Sequence, residues 1–566
     1  MALAVGGAML CNTGCTNLDE NLYDKLSEDN IDLSNPKDLS QLLGGAVTQY
    51  RYLVTDWGGL WTLSCVSADE LLIPKRVEVG WGDLYIPMFK HNWVYSNGCL
   101  NGPWTFSYQG ISYCNMILDA MGEETDDNRV LMSHVRFYRA LFYWHLLDNF
   151  GNVPIQTTFN TEPGFLPEQE GTDAVYNFIE SELVDIQEKI GTEKNFGYGN
   201  RYAVEFLLSR LYLNRNALLG TTDNSGYTAA LTLLDDIINN GGYSLASNYK
   251  DNFRENIQSC PEVIFAIPQD RTHTSNWIML TFGFPFEGMK AYGSTASGNS
   301  GHCAVPQFVK SYDSDDQRLA ATWAMGPQYE AVKNADGSYT LGAGDPISFS
   351  IHDWSGTGIL NYNIECHSID NPGCYIQEGY RFHKYEIIAG TDDAATATDI
   401  AMFRYAEVLL MKAECLLRTG KDDATAADLV TLVRRRAFNN SSKATVTAAQ
   451  LKGGSVYEYG HDEYTTDAAD ASAGCIDWTN HITSYEGGAD IELGGLFDEY
   501  GWEFAGEMQR RTHMRRFTLS GGGNVFNRKS YFCKDGNTED FRDFFPIPEE
   551  AIKANIKLVQ NPGYTN

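Results

Sequence analysis

Segments in which apolar residues recur at helical spacing place the strongest constraint on the fold. In HVRFYRALFYWHLLDNFG, the residues on one helical face are Val135, Tyr138, Phe142, His145 and Leu146. Gly151 and Pro154 follow, and both residue types are typical of a helix end. The pattern therefore predicts an amphipathic helix that ends before Gly151.

Similar segments come in adjacent pairs. NRYAVEFLLSRLYLNRNALLG ends at Gly220, and YTAALTLLDDIINNGGY follows it. MFRYAEVLLMKAECLLRTG ends at Gly420, and DDATAADLVTLVRRRA is its predicted antiparallel partner. The apolar stripe of the helix that ends at Gly420 consists of Met402, Tyr405, Ala406, Leu409, Ala413 and Leu416. Antiparallel helix pairs are the unit of a tetratricopeptide-type array, so we predict a mostly α-helical fold with such pairs, although no clean repeat of about 34 residues is present.

Two long segments lack helical periodicity. Residues 266–398 are rich in Gly, Ser, Asp and aromatic residues, and residues 440–497 are irregular and acidic. Long irregular segments inside a folded chain are usually functional loops or small sheets. We therefore expect the helix pairs to pack against a loop-rich half with short strands.

The charge of the chain excludes some partners. It has 42 basic and 74 acidic residues, which gives a net charge of −32. This balance argues against nucleic acid, and against broad contact with anionic lipid headgroups, because no basic surface stands out.

Residues 1–14 are interpreted as a signal-peptide remnant. The apolar run Met1 to Leu10 has the length of a signal-peptide core, although no Lys or Arg precedes it. The alternative is an ordinary disordered terminus.

No catalytic, metal or cofactor motif stands out. HExxH, GxSxG, Walker and complete GxGxxG patterns are absent from the sequence. The twelve cysteines form no CxxC pair, so a zinc ribbon is not expected; Cys366 and Cys374 could pair across a short loop. The acidic turn YDSDDQR at residue 312 could hold calcium, but a solvated turn is favoured. We predict a protein that is not an enzyme, with no cofactor and no metal.

Two pairs of charged residues stand three positions apart, which is a helical pairing distance. These are Arg404 with Glu407, and Glu507 with Arg510. We expect each pair to form an ion pair that fixes helix packing.

Several segments, taken in order, carry a family resemblance. They are FYRALFYWHLLDNFGNVPI, INNGGYSL, RYAEVLLMKAECLLRTG with VTLVRRRA, EFAGEMQRRTHMRRF at 503–517, and FPIPEEAIKANIKLVQNPGY at 545–564. Together they resemble the SusD/RagB family of Bacteroidetes outer-membrane lipoproteins. The 503–517 segment keeps Glu503, Glu507, Arg510 and Arg516 of the family pattern, and it departs at Met508, His513 and Phe517.

The resemblance implies one SusD-like domain over residues 15–566. Its expected parts are an N-terminal helical half at 16–265, a variable ligand region at 266–398, a helix pair at 399–440, and an irregular insertion with the C-terminal framework at 441–566. Family members begin at a lipidated cysteine, and CTNLDE matches that pattern at Cys15 better than the sequence at Cys11 does.

The function implied is that of a non-catalytic lipoprotein on the cell surface, anchored in the outer membrane by its lipid only. It would capture an oligosaccharide and deliver it to a TonB-dependent SusC-like transporter. A peptide-binding RagB-type lipoprotein is the first alternative. A surface glycoside hydrolase is the second, because a catalytic pair of carboxylates could be present among the acidic residues.

Candidate ligand residues are aromatic and polar groups in loops. Sugar rings expose flat C–H faces that pack on Trp and Tyr, and their hydroxyl groups need polar partners. The first stretch offers Asp69, Arg76, Trp81, Trp93 and Asn97. The variable segment offers Trp277, Tyr292, Trp323 and Trp354. Core or loop packing is the competing interpretation for each Trp.

Overall fold

The computed structural model describes residues 36–76, 81–269, 276–296, 298–350, 357–370, 374–391, 397–465, 480–536 and 539–565. Its helices are α1 Pro36–Thr55, α2 Leu60–Val66, α3 Gly82–Phe89, α4 Asn101–Met121, α5 Arg129–Phe150, α6 Thr172–Ile186, α7 Arg201–Leu213, α8 Arg215–Leu219, α9 Ser225–Asn240, α10 Trp277–Leu280, α11 Pro306–Lys310, α12 Gln317–Thr322, α13 Tyr405–Thr419, α14 Asp423–Arg435, α15 Ser441–Ala444, α16 Ala448–Lys452, α17 Gly494–Phe504, α18 Arg510–Arg516, α19 Val525–Arg528 and α20 Glu549–Ala554. The mostly α-helical class is therefore confirmed. Within the described ranges, no helix is long and apolar enough to cross a membrane.

The strands are short. They are β1 Leu71–Leu72, β2 Val153–Pro154, β3 Gln169–Glu170, β4 Val263–Ile267, β5 Cys303–Ala304, β6 Trp323–Ala324, β7 Gly326–Pro327, β8 Val332–Lys333, β9 Tyr339–Thr340, β10 Ser348–Ser350, β11 Thr357–Ile359, β12 Asn361–Tyr362, β13 Arg381–Phe382, β14 Ile400–Arg404, β15 Gly460–Thr465, β16 Asn480–Thr483 and β17 Tyr531–Phe532. Most form two-stranded antiparallel ribbons, and β15 lies between β16 and β17 in a three-stranded sheet.

The long helices form one continuous array. Neighbours along it are α1, α4, α5, α6, α7, α9, α13 and α14 in that order. Because α9 packs directly against α13, the array continues although more than 160 residues separate these two helices in the chain. The pair α13–α14 consists of antiparallel helices joined by a short turn, as the sequence predicts, and α4–α5 is a further pair that the sequence analysis did not identify.

Helix ends follow the capping residues of the sequence. Helix α5 ends before Gly151, and α13 ends at Gly420 in the left-handed conformation (φ 63°). Asn200 caps α7 by accepting a hydrogen bond from Ala203 N at 3.1 Å. The predicted helix that ends at Gly220 is interrupted at Asn214, which divides it into α7 and α8.

The two ends of the variable segment are held together by a ribbon of β4 and β14. In this antiparallel pair, Ile400 lies opposite Ile267 and Phe403 lies opposite Phe265. Met402 belongs to this strand, so its predicted position on the helical stripe of α13 is wrong. The chain leaves the helix array through β4, enters the loop-rich half, and comes back to the array through β14.

A buried ion network joins the two halves. Arg404 lies at the end of β14, and its guanidinium donates to Glu507 at 2.7 Å, to Glu262 at 2.6 Å and to Glu503 at 2.9 Å. Arg436 also bonds Glu262 and Glu503. All five side chains are almost completely buried. Buried charges are tolerated only when they are paired, so these contacts fix the relative positions of several distant segments.

The predicted pair of Arg404 with Glu407 is wrong. Glu407 instead accepts two hydrogen bonds from Arg210 on α7, at 2.9 and 2.7 Å. Residue 404 is still in a strand and the helix begins at Tyr405, so the three-residue helical spacing does not apply.

The network also determines the charge state of its acids. Burial alone would raise the pKa of Glu503, but the charges of Arg436, Arg404 and Arg318 outweigh it and lower that pKa to about 2. Glu503 is therefore ionised at neutral pH and needs its arginine partners.

Replacing Arg404 by Met should destabilise the fold strongly. The substitution leaves three buried carboxylates short of a counter-charge, and breaking a buried pair on one side typically costs about 3–5 kcal/mol. Urea unfolding of the purified chain measures this loss.

Lys553→Ala is the matched control. Lys553 pairs with Glu549 and Glu550 at the surface, where ion pairs contribute little, so its unfolding curve should be unchanged. Equal stabilities for the two variants would contradict a network on which the fold depends.

Candidate functional site

Two of the predicted tryptophans meet on one phenylalanine. Trp81 directly precedes α3 and donates its Nε1–H to the carbonyl oxygen of Asn299 at 2.7 Å. Its ring packs edge-on against Phe282 at 5.2 Å. Trp277, the first residue of α10, packs against the same Phe282 at 4.9 Å. Both tryptophans are half-buried, so part of each ring stays accessible.

Asn97 supports the neighbouring turn. Its Nδ2 donates to the carbonyl oxygen of Leu84 at 3.1 Å, and its Oδ1 accepts from Cys99 N at 2.9 Å. A side-chain carbon at Gly98 would lie 3.5 Å from the Trp57 ring and 3.4 Å from Leu84. Asn97 thus shapes the surface on which the Trp57 ring rests.

Trp57 is a site residue that the sequence analysis did not select. It is 42% exposed and follows the end of α1. The available signal was its position in Asp56-Trp57-Gly58-Gly59, because a ring beside two glycines at a helix end has few core neighbours.

Further groups extend this surface around Gly102. A side-chain carbon at Gly102 would lie 3.3 Å from Asp56 Oδ2 and 3.4 Å from the Phe106 ring. Tyr52, which is 49% exposed, packs on Phe106 at 5.6 Å. We call the rings of Tyr52, Trp57, Trp81, Phe106 and Trp277 the aromatic face.

Asp56 is the acidic group of the aromatic face. Its Oδ2 accepts from Gly58 N at 3.1 Å, which orders the loop that carries Trp57. Partial burial raises the pKa of Asp56 above its usual value, and hydrogen bonds from Gly58 and Trp57 oppose the rise. Flat rings beside a carboxylate and an ordered loop backbone are groups that can stack on a ligand ring and bind its hydroxyls.

Asp69 has a structural role instead of the predicted ligand contact. It is completely buried and accepts two hydrogen bonds from Arg510, at 2.6 and 2.9 Å. The hydroxyl of Tyr459 donates to it at 2.5 Å. Arg510 therefore bonds Asp69, and the predicted pairing of Arg510 with Glu507 is wrong.

Trp93 is also an interior residue, which corrects its predicted place in a ligand site. It is 2% exposed, and its Nε1–H donates to Tyr564 Oη at 2.7 Å. Its ring packs on Phe545 at 4.7 Å and on His91 at 4.7 Å. A ligand could reach this ring only after the C-terminal segment had been displaced.

Trp323 and Arg76 are buried in the loop-rich half. Trp323 lies in β6, is 1% exposed, and packs on Phe382 at 5.8 Å. Arg76 donates to the carbonyl oxygens of Ser300 at 2.6 Å and Tyr375 at 2.8 Å. Both side chains therefore make internal packing and hydrogen-bonding contacts, where ligand contacts had been predicted.

Tyr292 is not one of the rings of the aromatic face. Tyr292 packs on Phe284 at 5.5 Å, and its hydroxyl lies 3.5 Å from His383 Nδ1. Trp354, Cys11 and Cys15 lie outside the described residues.

A separate open cleft of about 580 Å³ lies beside α8, α9 and the C-terminal end of α13. It is lined by Asn216, Ala217, Thr221, Thr222, Asn224, Tyr227, Arg418, Lys452, Glu492, Leu493, Arg515, Arg516 and Thr518. Arg418 and Arg516 both bond Glu414, and Lys452 bonds Asp423, so these cations already have protein partners. The cleft is polar, whereas the aromatic face supplies the stacking rings.

Curated proteins similar in sequence were found along most of the chain. It is 26% identical over 518 residues to the starch-binding protein SusD of Bacteroides thetaiotaomicron, which covers 87% of this chain and 81% of that protein. It is 22% identical to the SusD-like protein P25 of Formosa agariphila, over 90% of this chain and 83% of that protein.

Solved structures share the fold. A structure titled B. fragilis NanU matches with a TM-score of 0.68 and 17% identity, over 96% of this chain and 100% of that one. Surface glycan-binding protein A from Bacteroides thetaiotaomicron in complex with laminarihexaose matches with a TM-score of 0.64 and 18% identity, over 93% of this chain and 99% of that one.

Two family models match the chain. The model described as "Starch-binding associating with outer membrane" matches residues 76–213. The model described as "SusD family" matches residues 261–564, which is more than half of the chain. Because the SusD family model covers more than half of the chain, the chain belongs to the SusD family.

Proposed function

We propose that this protein binds glycan on the aromatic face and does so without cleaving it. The observation that carries the proposal is the packing of the partly exposed Trp81 and Trp277 on Phe282. The 42% exposed Trp57 is linked to the same region through Tyr85, whose hydroxyl donates to the carbonyl oxygen of Trp57 at 3.4 Å and whose ring lies 6.3 Å from Phe282. The names of the relatives support the ligand class, since one is a starch-binding protein and one was solved with laminarihexaose.

Stacking on several rings suits a chain of sugars. Successive sugar units present C–H faces, and the partly exposed rings of Trp81 and Trp277 beside Phe282, and of Tyr52 and Trp57 near the end of α1, offer several stacking positions. Asp56 and the loop backbone beside Trp57 supply hydrogen-bonding groups for hydroxyls. Such a site distinguishes ligands by the curvature of the glycan chain as well as by composition.

Replacing Trp57 by Ala should weaken glycan binding without unfolding the protein. By analogy with stacking of nucleic-acid bases on aromatic side chains, the loss should be about 1–3 kcal/mol. Calorimetry with oligosaccharides of starch and laminarin, together with a melting curve, measures both quantities.

Two other aromatic residues provide controls. Tyr485→Ala removes an 80% exposed ring outside the aromatic face and should change neither quantity. Trp93→Ala should instead destabilise the fold, by about 3–5 kcal/mol, because its ring is buried. Unchanged affinity in Trp57→Ala, for every glycan that the wild type binds, would remove Trp57 from the site.

Two alternatives give different outcomes in the same assays. A surface glycoside hydrolase would release reducing sugar from these glycans, and pure protein should release none. A peptide-binding RagB-type protein would use the polar cleft of about 580 Å³, so Arg418→Ala rather than Trp57→Ala would reduce ligand affinity.

We also propose an outer-membrane surface location with a lipid anchor at Cys15 and a TonB-dependent SusC-like transporter as partner. The family description "associating with outer membrane" supports the location. A rigid helix array presents an extended face suited to covering the mouth of a barrel. A stable interface of this kind should bury at least about 1,000 Å².

Detergent extraction followed by pull-down should recover a TonB-dependent barrel in near-equal amount with the wild-type protein. Cys15→Ala should move the protein from the membrane fraction to the soluble fraction, because the polypeptide has lost its anchor. Recovery of the monomer alone, even after mild crosslinking, would contradict the transporter partnership. A Cys15→Ala protein that still partitions with membranes would contradict the anchor and would favour Cys11.

A further inference from the structure

Three cysteines from separate parts of the loop-rich half meet in the interior. Cys303 begins β5, while Cys366 and Cys374 lie in the connection before β13. Cys303 Sγ lies against the backbone at Gly379, which directly follows Glu378. All three side chains are buried. Buried thiols pack well as small apolar groups, so a metal role for these sulfur atoms needs a further ligand nearby.

A carboxylate completes the group. The Sγ atoms of Cys366 and Cys374 and a carboxylate oxygen of Glu378 all lie within 4.8 Å of one another. Glu378 is 2% exposed, and His367 holds it in place through a backbone N–H at 2.9 Å and its Nδ1 at 3.0 Å. Tetrahedral zinc with Zn–S bonds of about 2.3 Å brings neighbouring ligand atoms to about 3.5–4 Å, so these three atoms need only a small contraction. Cys303 lies outside this group of three and would have to move further.

Two buried guanidinium groups surround the sulfur atoms. Arg76 donates an N–H to Cys374 Sγ at 3.3 Å. Arg381 donates to the carbonyl oxygens of Glu378 at 2.7 Å and Gly379 at 2.6 Å, within the same loop. Both arginines are almost completely inaccessible to solvent. Buried cations need nearby negative charge, and N–H to sulfur hydrogen bonds are typical support for metal-bound thiolates.

Charge balance distinguishes a metal site from a disulfide. Three thiolates and one carboxylate around a divalent cation carry a net charge of −2, which matches the two guanidinium charges. A disulfide is neutral and would leave this part of the interior more positive. The charge of the surroundings therefore favours thiolate ligation.

We propose that Cys366, Cys374 and Glu378 bind one Zn²⁺ ion in a structural site, and that Cys303, whose sulfur lies against the adjacent Gly379, moves in as the fourth ligand that closes it. Thiolates favour zinc over magnesium and calcium, and four protein ligands leave no open position for catalysis. Binding releases the three thiol protons to solvent, so the ligands bind as thiolates without any change of oxidation state.

The backbone at Gly379 fits this arrangement. Its φ is 78°, and a side-chain carbon there would lie 2.5 Å from Cys303 Sγ. Only glycine allows the loop to approach Cys303 so closely. The approach brings the loop that carries Glu378 against β5.

The site would brace the aromatic face from behind. Arg76 bonds the carbonyl oxygens of Ser300 and Gly301, and the adjacent Asn299 accepts the hydrogen bond of Trp81. A metal that fixes Cys303 and the Arg76 environment therefore fixes the support of Trp81. The proposal of the zinc site does not depend on glycan binding.

Metal analysis of the purified full chain tests the site. After incubation with zinc and removal of free metal, wild-type protein should retain about one zinc ion per chain. Inductively coupled plasma mass spectrometry measures this ratio. Replacement of zinc by cobalt should give a thiolate-to-cobalt charge-transfer absorption. Cys366→Ser should lose both signals.

Cys415→Ser is the matched control, because Cys415 is buried on α13, in the helix array. It should retain zinc and the cobalt spectrum. If Cys366→Ser fails to fold, the wild-type measurements still decide the question, and Glu378→Gln should release zinc to a chelator sooner than wild type. Wild-type protein that binds no zinc would overturn the proposal. A disulfide among Cys303, Cys366 and Cys374, found by peptide mapping without reduction, would also overturn it.

Discussion

The architecture depends on the buried charges around Arg404. This side chain stands where β14 leaves the loop-rich half and α13 resumes the array, and it bonds acids from two distant segments, at 262 and at 503–507. Taking charges out of water is so costly that the arrangement is stable only when every partner arrives. The ion pairs therefore specify one position of the helix array relative to the loop-rich half. Apolar packing alone would specify that position less strictly.

The buried network is connected to the aromatic face by hydrogen bonds from the segment that follows α17. The carbonyl oxygen of Gly506 accepts a hydrogen bond from Trp61 Nε1 at 3.0 Å, and its N–H donates to Glu70 at 3.2 Å. Trp61 is on α2, one turn after the loop that carries Trp57. Ring positions on the surface are thus coupled to charge pairing in the interior, although no single residue belongs to both.

Helices were predictable from the sequence because their signals are local. The apolar period of α5, α9 and α13 and the glycines at their ends depend only on residues within a few turns. The partners of the charged residues were not predictable in this way. Arg404 and Glu507 are over 100 positions apart, and no spacing rule reports which distant acid an arginine will meet.

Tryptophans illustrate the same limit at the site. Trp93 and Trp57 lie in similar stretches of Trp, Gly and polar residues, but one is enclosed by Tyr564 and Phe545 from the C-terminal segment and the other is open. The element that covers Trp93 comes from the opposite end of the chain. The exposure of a side chain depends on the assembled fold. Residue type and local sequence can therefore identify candidate ligand-binding tryptophans, but they cannot show which of them are exposed.

The ribbon of β4 and β14 has a consequence for how such proteins diversify. Because it holds the two ends of the variable segment side by side, the closure entropy of that segment depends only weakly on its length. Insertions and deletions in exposed loops between the two strands leave the docking of α13 on α9 intact, provided that Arg318 and Lys384 keep their bonds to Glu503 and Glu507. Natural selection can therefore alter the exposed loops around Trp277 while the helical scaffold and the other four rings of the aromatic face are inherited unchanged.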